Sequence, residues 1–165
     1  MSGPSSPPWG PPLDLASASV AIVGRPGAEA LRLARLLLRL GTQRFVFVGA
    51  DSETGTAVAE EIRRMASGIW SLHVVADPSD PVDLARGLAE ASASIGDPQL
   101  LVAEGAAGCD LDALRAEAAR LACEEPTSLV LLMPGEALTD ADHGLEIVRA
   151  PSASDALALL IPRPM

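Results

Sequence analysis

Four titratable side chains, Glu136, Asp140, Asp142 and His143, lie close together in the last third of the sequence. Carboxylates beside an imidazole are the usual groups for general acid–base catalysis. Glu136 and His143 are therefore candidate catalytic residues, at the carboxyl-terminal edge of a sheet where open α/β folds bind ligands. The favoured interpretation is a solvated acidic loop with a surface histidine, because titratable residues are common in loops.

A second candidate site is a glycine-containing turn before a segment of helical period. Gly24, Gly27 and Ala30 give the pattern GxxGxxA. Glycines permit a tight turn and let the backbone approach a pyrophosphate at a helix N-terminus. Pro26 removes one amide donor, and Glu29 places a carboxylate in the first helical turn, so both weaken phosphate binding. A strand-to-helix turn without a ligand is an equal alternative.

The candidate residues are positioned by short apolar segments, which alternate with segments of helical period. The predicted strands are 19–24, 44–49, 71–76, 99–103, 127–133 and 144–149, and the predicted helices are 27–40, 53–66, 81–95, 110–124 and 152–160. This alternation predicts parallel βαβ units with right-handed crossovers. After Met133 only about ten residues precede the next strand, fewer than a parallel crossover usually needs.

Composition limits the classes of protein that the chain can be. With 165 residues, of which 48% are hydrophobic, we expect a Pro/Gly/Ser-rich disordered tail over 1–14 and a single domain over 15–165. The net charge is −10, and the 12 basic residues are all arginines that are scattered along the sequence. Both features argue against nucleic acid as a binding partner. Cys109 and Cys123 lack metal-ligand spacing, so no metal is expected. No apolar segment approaches the length of a membrane span, and we expect a cytoplasmic protein.

Four consecutive segments resemble the first four βα units of the short-chain dehydrogenase/reductase family. They read VAIVGRPGAEALRLARLLLRLG, RFVFVGAD, HVVADPSDPVDLARGLAEA and PQLLVAEGAAG. The resemblance implies a Rossmann-like three-layer α/β sandwich whose mostly parallel sheet has five or six strands and is truncated after strand five. It also implies that Asp77 contacts the adenine of a cofactor, and it makes Gly24, Arg25, Gly27 and Asp77 the candidate cofactor-binding residues.

The chain departs from the family at the positions that carry its chemistry. Family members usually have Asn-Asn-Ala-Gly after the fourth strand, whereas this chain has Glu104 there, which makes that carboxylate a third candidate for acid–base work. Family catalysis uses a Tyr and a Lys, and this sequence contains neither. The resemblance therefore excludes a self-sufficient NAD(P)-dependent reductase and leaves the catalytic residues unknown. Asp51 or Ser52 is interpreted as the cap of the helix that follows, and His73 as a core residue.

Two functions follow from the resemblance. The first is a pseudoenzyme that requires no cofactor and serves as a scaffold or partner subunit of an active oxidoreductase. The alternative is a repurposed enzyme that binds NAD, NADP or a metabolite in a degraded site and uses the acidic and histidine residues for non-redox acid–base chemistry. A structural half of a larger reductase domain is a third possibility. Homo-oligomers or heteromers with a complete dehydrogenase/reductase are expected to form through an apolar stripe on the fourth helix, which consists of Leu111, Leu114, Ala118 and Leu121.

Overall fold

The structure is a computed structural model that describes residues 15–105, 109–142 and 145–160. The predicted tail, residues 1–14, lies outside the described residues. The strands are β1 (Ser19–Val23), β2 (Arg44–Gly49), β3 (Trp70–Val75), β4 (Leu100–Glu104), β5 (Thr127–Leu132), β6 (Leu138–Asp142) and β7 (Leu145–Ala150). The helices are α1 (Ala28–Arg39), α2 (Ser52–Arg63), α3 (Pro81–Ile95), α4 (Leu111–Ala122) and α5 (Ala153–Leu160).

The strands form one sheet in the order β3-β2-β1-β4-β5-β7-β6. Every neighbouring pair is parallel except β6 and β7. The predicted α/β fold with a mostly parallel sheet is therefore confirmed. The sheet has seven strands instead of the predicted five or six, and it continues beyond β5 through β7 and β6.

Two helical layers cover the two faces of the sheet, because alternate residues of a strand point to opposite faces. Val20 and Ile22 of β1 pack with α1, α2 and α5, whereas Ala21 and Val23 pack with α3 and α4. Most buried residues of the parallel strands are aliphatic, as expected for strands that are covered on both faces. In the part of the chain that the structure describes, no helix is both long and apolar enough to cross a bilayer.

The connection from β5 to β7 runs through a strand at the sheet edge. Residues 138–142, expected as an acidic loop, pair antiparallel with β7 as strand β6. Asp140 lies opposite Ile147 in this ladder, and its carboxylate is 3.2 Å from the Arg149 guanidinium. The loop prediction was wrong because a cross-strand ion pair and the ladder hydrogen bonds hold this polar segment extended.

The apolar stripe of α4 faces the protein's own sheet. Leu114, Ala118 and Leu121 are buried in the core with α3 and the strands, and Leu111 is half-buried against the same core. The stripe is thus covered within the chain, and the contact of this helix with another chain stays a prediction. Sequence periodicity identifies an apolar face correctly, but here the sheet covers that face.

Two arginines occupy the open edge of β3. The amide of Trp70 donates to a carbonyl just before β2, and the amide of Ala76 donates to a carbonyl of β2. Because alternate residues of a parallel strand bond to the same neighbour, the carbonyls of Ser71 and Val75 point away from β2. The Arg63 guanidinium donates to the Ser71 carbonyl, and that of Arg86 donates to the Val75 carbonyl at 2.7 Å. Two outward-pointing acceptors of this edge strand are thus partnered within the chain.

Candidate functional site

A cavity of about 270 Å³ opens at the carboxyl ends of β1, β2 and β3. Three strand-to-helix loops form its walls, and side chains of β2, β3 and α2 complete it. The lining residues are Gly24, Arg25, Pro26, Phe47, Gly49, Ala50, Asp51, Thr54, Gly55, His73, Asp77, Pro78 and Ser79. Its volume is just below the range of about 300–1,000 Å³ that is typical of ligand sites, so it fits a compact ligand.

Asp51 holds the second loop by capping α2. Its Oδ1 accepts hydrogen bonds from the amides of Glu53 and Thr54, both at 3.1 Å, and its Oδ2 accepts from the Thr54 hydroxyl at 2.8 Å. The Thr54 hydroxyl is the largest cause that lowers the pKa of Asp51, and the Arg25 guanidinium adds to the effect. The predicted capping role of Asp51 is confirmed, and the cap leaves an ionised carboxylate at the cavity wall.

Asp77 shapes the third loop. Its Oδ1 accepts from the Ser79 hydroxyl at 2.6 Å and from the Ser79 amide at 3.0 Å, and these bonds lower the pKa of Asp77. The next helix is capped by Asp80, which accepts from the Val82 amide at 3.0 Å. Asp77 therefore presents a charged carboxylate at the rim, with one oxygen engaged in its own turn.

His73 lies between β3 and α2. It is half-buried and lines the cavity, and its Nε2 atom is buried without a hydrogen-bond partner. Burial lowers the pKa of His73, and the Gly49 backbone and the Asp51 carboxylate only partly oppose this effect. The prediction of a core histidine is thus corrected in part, because the ring packs under α2 and also borders the cavity.

The lowered pKa of His73 predicts a pH dependence of stability. The unfolded chain takes up a proton below about pH 6.5, whereas the folded imidazole resists protonation. The free energy of unfolding should therefore fall as the pH decreases from about 7 to 5, and His73→Gln should flatten this slope. Urea unfolding across this pH range measures it, with His143→Gln as the matched control. An unchanged slope in His73→Gln would contradict the prediction.

Glu104 reaches from the end of β4 to the start of α1. Its Oε1 accepts a hydrogen bond from the Ala30 amide at 2.8 Å. A Cβ atom on Gly27 would lie 1.4 Å from Glu104 Oε2, so the carboxylate fills the space that the missing side chain leaves. Glu29 points elsewhere, because its Oε2 accepts from the Ala153 amide at the start of α5 at 2.7 Å.

The structure brings together only some of the residues singled out from the sequence. Gly24, Arg25 and Asp77 line one cavity, and Gly27 lies beside it under Glu104. Glu136 is exposed and follows β5, two strands away from β1. His143 lies outside the described residues. Among residues 15–105, 109–142 and 145–160, no cluster of side chains is suited to hold a metal ion.

Sequence reasoning missed Phe47, Thr54 and Gly55 as cavity residues. Gly55 carried a usable signal, since a glycine inside a helical pattern often marks a close approach. A Cβ atom on Gly55 would lie 2.0 Å from His73 Cδ2. Phe47 carried no such signal, because an apolar residue in a central strand is expected whether or not a cavity lies beside it.

No profile of a known protein family and no curated protein sequence matches the chain, whereas solved structures do. A short chain oxidoreductase from Pseudomonas aeruginosa PAO1, described with NADPH bound and an atypical catalytic center, is 20% identical with a TM-score of 0.59, and the match covers 73% of this chain and 55% of that one. A short chain dehydrogenase from Mycobacterium thermoresistibile is 17% identical with a TM-score of 0.60, covering 76% and 54%. The fold is that of the short-chain dehydrogenases/reductases.

An L-sorbose reductase from Gluconobacter frateurii, described in complex with NADPH and L-sorbose, shares this short-chain dehydrogenase fold. It is 17% identical with a TM-score of 0.52, and the match covers 69% of this chain and 51% of that one. The chain spans about half the length of these structures. At this level of identity the similarity establishes the architecture alone.

Proposed function

We propose that this chain is a non-catalytic protein with the short-chain dehydrogenase fold, which serves as a scaffold or as a partner subunit of an active oxidoreductase. The observation that carries the proposal is the connection between β5 and β7. It consists of an edge strand instead of a helix, in a chain that contains no Tyr and no Lys. The chain itself therefore supplies neither the phenol nor the ammonium group expected for proton transfer beside a nicotinamide.

The start of α1 supports the same proposal. In nucleotide-binding folds this position offers free amides and a partial positive charge to a phosphate. Here the Ala30 amide already donates to Glu104, and Pro26 has no amide hydrogen to offer. A required NAD or NADP is therefore not part of the proposal.

The partner role is supported by the absence of Tyr and Lys from the sequence, because another polypeptide would then have to supply the groups for proton transfer. The cytoplasm is the proposed compartment, since Cys109 and Cys123 are free thiols. The apolar stripe of α4 is buried against the sheet, so a partner that binds this helix would contact its exposed face. Size-exclusion chromatography with light scattering tests self-association, and a monomer at micromolar concentration would leave only the heteromeric partner.

The non-catalytic proposal predicts no carbonyl reduction by the purified chain. The oxidation of NADH and NADPH is followed by absorbance in the presence of a panel of aldehydes and ketones, with an active short-chain reductase as the positive control. The expected rate equals the background rate without protein, because the chain has no phenol or ammonium group to deliver the proton. A protein-dependent rate that scales with chain concentration would overturn the proposal.

The cavity favours a second candidate function, the binding of a small metabolite. It combines an apolar interior with the buried, unpartnered Nε2 of His73 and the carboxylates of Asp51 and Asp77. A few convergent polar groups in an apolar pocket are typical of ligand sites. Titration calorimetry with candidate ligands tests this function independently of the partner role.

A further inference from the structure

Glu104 performs a task at α1 that the helix's own residues do not. The N-cap residue, Gly27, has no side chain with which to accept a hydrogen bond from the first helical amides. The carboxylate that accepts from Ala30 instead arrives from β4, 74 positions along the chain. A negative charge at this end of a helix is stabilised by the helix dipole.

The position of the carboxylate also blocks access to the helix. Glu104 Oε2 occupies the space in which a Cβ atom of Gly27 would lie. A ligand that approached the backbone at Gly27 would meet this oxygen first. Steric exclusion and charge repulsion therefore act at the same place against an incoming phosphate.

We propose that Glu104 is a built-in anion that occupies the phosphate-binding position at the start of α1 and restricts the neighbouring cavity to ligands without a phosphate group. Gly24, Arg25 and Pro26 line the cavity, and this loop leads directly into Gly27, so the blocked position follows the cavity wall along the chain. The inference rests on Glu104 and the cavity and is independent of any partner.

The cavity supplies the second observation that points to a ligand. The Nε2 atom of His73 is buried without a partner, although a buried polar atom is normally hydrogen-bonded. Asp51 and Asp77 face the same space, and Arg25 is the one guanidinium among the described lining residues. An uncharged heterocycle with hydroxyl groups, such as a nucleoside, matches these groups better than a dianion does.

Adenosine and adenosine 5′-diphosphate are suitable probes, because they differ only in the phosphate groups. Titration calorimetry on the full chain should show that adenosine binds about tenfold more tightly than the diphosphate. Glu104→Ala should raise the affinity for the diphosphate by about tenfold and change that for adenosine by less than about twofold. Glu104→Gln, which keeps the side-chain volume, should give a smaller gain and provides a second variant if Glu104→Ala unfolds.

Glu61→Gln is the matched control for net charge, because Glu61 is an exposed residue that pairs with Arg35 on the surface. It should leave both affinities unchanged. The proposal is overturned if the unaltered chain binds the diphosphate as tightly as adenosine, or if both folded Glu104 variants leave the diphosphate affinity unchanged, including the case in which neither probe binds. These outcomes are distinct from a failure of the non-catalytic proposal, which is measured by turnover.

Discussion

Replacing Leu114 by Ala is expected to lower the free energy of unfolding by about 2–5 kcal/mol. Leu114 is 0% exposed and packs with α3 and the strands on one face of the sheet. Its removal loses the transfer free energy of the side chain and leaves a void that the aliphatic neighbours fill only in part. Urea unfolding followed by circular dichroism measures the change.

Leu111→Ala is the matched control on the same helix. Leu111 is half-buried at the margin of this core, so its truncation should cost clearly less than that of Leu114. A core role also predicts that the loss is independent of protein concentration, whereas an interface role makes stability concentration-dependent. A small, concentration-dependent loss for Leu114→Ala would restore the interface interpretation of this stripe.

Replacing Gly55 by Ala is expected to destabilise the protein by about 1–3 kcal/mol. Alanine normally stabilises a helix interior relative to glycine by about 0.5–1 kcal/mol. Here the added methyl would lie 2.0 Å from His73 Cδ2, and the ring is held between β3 and α2. The steric conflict outweighs the helix propensity, so the usual sign reverses.

A double-mutant cycle identifies the cause of this effect. In a His73→Ala background the methyl has room, and Gly55→Ala should become neutral or stabilising. Thermal unfolding of the four proteins measures the coupling free energy. Equal losses of stability in both backgrounds would show that the contact with His73 is not the cause of the destabilisation.

The sequence predicted the alternating elements well because their signals are local. The predicted helix at 81–95 matches α3, which begins at Pro81 after the Asp80 cap. Gly41 directly follows the predicted helix 27–40, and its φ of +102° is a conformation that favours glycine just after a helix. Capping, period and glycine conformation are properties of neighbouring residues, so they can be derived from the sequence.

Strand β6 could not be derived in the same way. Its residues LTDAD lack the apolar content of the other strands, and they become a strand only by pairing with β7. The α4 stripe shows the complementary limit, because its period was recognised but the surface that covers it was not. Both errors concern contacts between separate elements.

The same distinction between local signals and contacts between separate elements applies to the candidate site. Gly24, Arg25 and Asp77 were predicted as site residues from the resemblance to the short-chain dehydrogenases/reductases, and they line one cavity. The contact of Glu104 with Gly27 and Ala30 was not predicted, because it joins the ends of two strand-to-helix connections. The sequence placed a carboxylate near this region, but only the fold shows that it lies on the helix.

The arginine contacts along β3 have a consequence for growth of the sheet. A foreign polypeptide that added itself alongside β3 would have to displace Arg63 and Arg86 from the carbonyls that they occupy. Exposed strand margins are the usual templates for fibril formation, and cationic side chains are a common protection. Fibril formation by addition of strands to the folded protein is thus disfavoured at the β3 edge, although Trp70 of this strand is exposed.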